Sequence, residues 1–220
     1  MPSLPLIQTP FSAPWMTWVL IGLFVIVTIA LLVNGSQFIE GFTTFFSRIE
    51  RRYSDGAMGI GMGLLMHVFR VVVVALALYW SVWNIYTPDR PFEPLPLVLM
   101  MAAALVVWGV HHVLLFWVCS TFSLRQEMQT FTLHYVGLWT VVAIVLYGLV
   151  LVGSYLESPQ PIVIAIGVVM ALYVIAVVVK TCTFVPLSLR QLIYMPLYVV
   201  TVDVVPLAGL FWIGKYIVTI

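Results

Sequence analysis

The sequence predicts an all-α polytopic transmembrane helix bundle of about six spans plus one interfacial amphipathic helix, on three observations. Of its 220 residues, 63% are hydrophobic and only 8% charged, whereas a soluble domain carries roughly 25% charged residues. Apolar runs of about 20 residues, the length needed to cross hydrocarbon, recur along the whole chain. The connections between them are short, so residues 1–220 are expected to form one integral-membrane domain.

The first span is expected from Pro14 to Val33, ending at the polar Asn34-Gly35-Ser36. It lacks a basic n-region and a small-x-small cleavage site, so it is read as a retained span rather than a signal peptide. Between Gln37 and Tyr53, Phe38, Phe42, Phe45, Phe46, Ile49 and Tyr53 recur at helical spacing, while Arg48, Arg51 and Arg52 fall mostly elsewhere. Basic residues beside an aromatic face predict a helix lying in the membrane interface.

The second span is expected from Met58 to Trp83 and opens with Gly59 and Gly63, a G-x-x-x-G pair that permits close helix approach. Asn84 to Pro96 carries four prolines and is expected as a loop outside the hydrocarbon. Further spans are expected from Leu97 to Val118, Leu133 to Tyr155, Ile162 to Val179 and Met195 to Ile217, with a polar connection over Cys119 to Thr132. Pro206, inside the last of these, is expected to kink it.

Orientation follows from the basic residues. Arg48, Arg51, Arg52, Arg125, Lys180 and Arg190 fall on one side and only Arg90 and Lys215 on the other, so the positive-inside rule places both termini outside the cytoplasm. Trp15, Trp18, Tyr79, Trp80, Trp83, Trp212 and Tyr216 are expected near the outer boundary as an aromatic belt, and Trp117, Tyr135, Trp139, Tyr194 and Tyr198 near the inner one.

Within the spans lie a few ionisable side chains: His67, Arg70, His111, His112 and Asp203. At 1.5 Å per residue, His67, His111 and Asp203 stand roughly 10 to 13 Å from the inner ends of their helices. Buried charge is costly there, so Arg70 and Asp203 are expected to face the interior and pair directly or through a histidine. His67 and Arg70 share a helix face, whereas His111 and His112 diverge by roughly 100° and cannot both meet one neighbour. Four readings stay open: a structural network fixing helix register, an ion or small-solute path, axial ligation of a haem, or a lipid headgroup or anion held through Arg70.

Several classes are excluded. A net charge of +1 without a long basic run gives no nucleic-acid footprint. Cys119 and Cys182 stand too far apart for a metal motif. No G-x-S-x-G or H-E-x-x-H signature appears, so no catalytic or metal residue is assigned and no cofactor is expected unless haem binds. The expected partners are the bilayer and other membrane or envelope proteins.

The stretch from Ser188-Leu189-Arg190-Gln191 through Met195-Pro196-Leu197-Tyr198 to Asp203-Val204-Val205-Pro206 resembles the ending of a bacterial family, the domain of unknown function family 4271. An aromatic-rich interfacial helix after the first span extends the resemblance over nearly the whole chain. The family pattern places Glu where Asp203 stands. The resemblance implies a multi-pass protein of the bacterial cytoplasmic membrane and singles out Arg190, Asp203 and Pro206, without supplying an activity.

Overall fold

A computed structural model describes residues 14–46, 60–88, 90–121, 125–156, 158–184 and 204–219, with side chains described outside 33–46, 60–64, 115–121, 125–134, 136 and 180–184. Among these residues the protein is all-helical: α1 (Pro14–Phe46), α2 (Ile60–Tyr86), α3 (Pro94–Thr121), α4 (Arg125–Gly153), α5 (Gln160–Phe184) and α6 (Val205–Thr219). Four stretches are long and apolar enough to cross a membrane, Pro14–Leu32, Leu65–Tyr86, Pro94–Leu114 and Gln160–Val179. Gly137–Gly153 and Val205–Thr219 are shorter apolar helices. The chain is therefore an integral membrane helix bundle.

Three expected breaks are absent or shorter. α1 continues through Asn34-Gly35-Ser36 to Phe46, so Gln37–Phe46 prolongs the first helix and is not a separate element. Polarity marks where a helix leaves hydrocarbon, whereas Asn, Gly and Ser in its interior cost at most about 1 kcal/mol each. At 33 residues α1 is about 50 Å long, well beyond a hydrocarbon core of about 30 Å. α2 runs to Tyr86 and α3 starts at Pro94, because Pro94 and Pro96 occupy the first turn, where a missing N–H costs nothing. The polar residues expected to link the third and fourth spans are largely absorbed into α3 and α4, leaving 122–124 between them.

The fifth helix begins the same way. Pro161 follows Gln160, and the Pro159 carbonyl accepts from the amides of Ile162 and Val163, both at 3.1 Å. α4 closes with the Ser154 amide donating to the Val150 carbonyl at 3.0 Å. Pro206 stands in the first turn of α6; the turn before it, where a kink would show, lies outside the described residues.

α2 is the centre of the bundle. It touches each of the other five helices, while α1 packs on α4, α4 on α5, and α3 on both α6 and α4. Of its window Leu65–Tyr86, 78% is buried, against 28% for α1 and 22% each for α3 and α5. This corrects the outer aromatic belt: Tyr79, Trp80 and Trp83 are buried core residues, whereas Trp18, Trp212 and Tyr216 are about 70% exposed and suit a boundary.

Among the described residues, close approach occurs at Gly153 and Gly214. A Cβ on Gly153 would stand 2.8 Å from Cζ2 and 2.9 Å from Cη2 of Trp80, and one on Gly214 would stand 2.8 Å from Cε of Met100. Gly59 lies outside the described residues. Gly63 is in the first turn of α2, without described packing.

Candidate functional site

The polar cluster is built from α2 outward. Arg70 is buried, and it donates from Nε to the Met66 carbonyl at 3.0 Å and from Nη2 to Nδ1 of His67 at 2.8 Å. A guanidinium only donates, so Nδ1 of His67 accepts and a neutral His67 carries its proton on Nε2. The three-residue spacing that placed the two on one face thus becomes a direct hydrogen bond.

On α3 the two adjacent histidines part company, as their angular separation requires. Nδ1 of His112 lies 3.1 Å from the Trp108 carbonyl; the carbonyl only accepts, so His112 holds its proton on Nδ1 and keeps a lone pair on Nε2. Its ring meets His67 edge-on at 6.3 Å, and Trp108 lies 5.1 Å from His67 and 4.3 Å from His112. His111 turns the other way and is buried, stacked on Tyr135 of α4 at 5.2 Å and 12°.

From Tyr135 the contacts continue to Trp139 at 6.4 Å and to Tyr173 of α5 at 6.3 Å, with Trp139 and Tyr173 4.4 Å apart. Rings from α2, α3, α4 and α5 therefore form one continuous row. Successive contacts pass from α2 to α3, α4 and α5, so the row ties these four helices together across the bundle. Sequence reasoning located the histidines and Arg70 and placed Tyr135 and Trp139 at the inner boundary; it missed Trp108 and Tyr173. Trp108 carried a signal, standing one helical turn before His112.

Asp203, Arg190, Arg48, Arg51 and Arg52 lie outside the described residues, and so does the expected pairing of Asp203 with Arg70. Among the described residues no group of three or more His, Cys, Asp or Glu side chains is arranged to hold a metal ion.

A second polar arrangement closes the opposite end of α2. The α2–α3 connection is tied by aromatic side chains: Trp15 Nε1 donates to the Phe92 carbonyl at 3.3 Å, Trp83 Nε1 to the Arg90 carbonyl at 3.0 Å, and Tyr79 Oη to the Glu93 carbonyl at 2.8 Å. Phe92 lies over Trp83 at 5.6 Å, nearly parallel. Indole and phenol groups thereby satisfy loop carbonyls directly.

No similar chain was found among curated proteins or among solved structures. The model of the family described as Domain of unknown function (DUF4271) matches residues 16–213, and the chain belongs to that family.

Proposed function

We propose that this protein is a non-enzymatic component of the bacterial cytoplasmic membrane, a scaffold or accessory subunit of an envelope complex, with both termini extracytoplasmic. One observation carries the reading: the ring row links α2, α3, α4 and α5 to one another across the bundle. Ring contacts that tie four helices together fix the register of those helices, whereas a conduction path needs polar groups at successive depths. The hydrogen bonds of Arg70 to Met66 and His67, and of His112 to Trp108, also stay within their own helices. Extraction of the tagged protein from its native membrane in mild detergent is expected to bring down a stoichiometric membrane or envelope protein. Recovery of the chain alone would reject the reading.

A second reading is an ion or small-solute path, favoured by the half-buried state of His67 and His112. It requires a flux into proteoliposomes that falls in His67→Ala and in Asp203→Asn. Flux equal in protein-free vesicles and in the wild type would remove it.

A further inference from the structure

We propose that His67 and His112 form a binding site for an anionic phospholipid headgroup that carries a free hydroxyl. The phosphate oxygen is taken by the Nε2–H of His67, and the hydroxyl donates to Nε2 of His112. The site is independent of any partner protein.

The hydrogen-bond pattern creates the pair. Nδ1 of each ring is occupied, by Arg70 in one case and by the Trp108 carbonyl in the other. Among the described residues neither Nε2 has a hydrogen-bond partner. One ring thus offers a donor and the other an acceptor, with ring centres 6.3 Å apart.

Position selects a lipid. Both histidines are half-buried, and the neighbouring side chains are Val68 at 44%, Trp108 at 37% and Val113 at 67% exposure. The pair therefore opens on the outer surface of the bundle between α2 and α3, where a membrane protein meets lipid. From Tyr86 to His67, and from Pro94 to His112, the helices rise about 28 and 27 Å. In a hydrocarbon core of about 30 Å the pair lies within about one helical turn of the far boundary, where headgroups begin. An N–H facing outward at that depth is costly without an oxygen to bind.

Charge selects the headgroup. The Arg70 guanidinium, bonded to the far side of the His67 ring, polarises its Nε2–H and strengthens it toward an anionic oxygen. The His112 lone pair adds a preference for a hydroxyl. Phosphatidylglycerol offers both groups; phosphatidylcholine offers neither net negative charge nor hydroxyl. Free phosphate shares the anionic chemistry, so the test must separate the two.

The full-length protein in nanodiscs of equal phosphatidylglycerol and phosphatidylcholine is released into mild detergent, and retained lipid is counted by native mass spectrometry. Wild type is expected to retain phosphatidylglycerol about tenfold over phosphatidylcholine, the value of one charge-assisted hydrogen bond. His67→Phe and His112→Phe are expected to bring the ratio close to one. His112→Phe breaks only a bond within its own helix and serves if His67→Phe fails to fold. Equal retention by wild type, or an undiminished preference in a folded variant, overturns the site. Displacement of the retained lipid by millimolar inorganic phosphate overturns its assignment to lipid.

Discussion

Tyr79 and Glu93 exchange two hydrogen bonds: the phenol donates to the Glu93 carbonyl at 2.8 Å and accepts from the Glu93 amide at 3.0 Å. One buried hydroxyl thus satisfies both backbone groups of a residue 14 positions away. Tyr79→Phe removes both bonds while leaving the ring in place, and stranding backbone groups costs about 1 to 3 kcal/mol. The variant is expected to unfold at lower temperature in detergent and to exchange amide hydrogens faster over residues 87–93. Unchanged protection there would show that the phenol does not hold the connection.

Gly153→Ala drives a methyl group into the Trp80 indole, 2.8 Å away, and against Ile162 at 3.0 Å. Overpacking of a rigid ring typically costs about 1 to 3 kcal/mol. Gly148→Ala, on the same helix, meets nothing within 4 Å and is expected to be neutral or slightly stabilising, since alanine favours a helix. Thermal unfolding of the two variants side by side checks the contrast.

The Arg70–His67 bond is expected to appear as a coupling energy. A double-mutant cycle of Arg70→Gln and His67→Ala should give about 1 to 2 kcal/mol, within the range for residues in one hydrogen-bonded network. A value near zero would mean that the 2.8 Å contact contributes nothing.

Tyr147 donates to the Leu20 carbonyl at 3.0 Å, bridging α4 and α1. That carbonyl retains its own helical bond, so Tyr147→Phe is expected to cost little, about 0.6 kcal/mol and at most about 2. The change should be visible as a small drop in unfolding temperature.

The structural reading of the cluster also makes a spectroscopic statement. Protein purified from cells supplied with haem precursor is expected to show no Soret absorption. A Soret band that is lost in His67→Ala or His112→Ala would reverse that reading.

The apolar inventory made the membrane bundle legible, because segment length and hydrophobicity alone decide whether a helix can cross lipid. Helix ends were less legible. Asn34-Gly35-Ser36 and Arg125-Gln126-Glu127 read as connections, yet polar residues extend a helix into water as readily as they end it. For the cluster, spacing within one helix sufficed for His67 with Arg70 and for the divergence of His111 from His112. What spacing could not supply was pairing between helices: that His111 stacks on Tyr135, or that Gly153 receives Trp80, depends on which helices lie side by side, which no local pattern states.

The central place of α2 has a consequence for biogenesis. The chain emerges from the ribosome in order, so α2 enters the bilayer before α3, α4, α5 and α6 exist to surround it. Until they arrive, Arg70 and His67 must be tolerated beside acyl chains or held by insertion machinery. Truncation after α2 should therefore leave a segment that inserts poorly or is degraded, a liability relieved only when the later helices close around it.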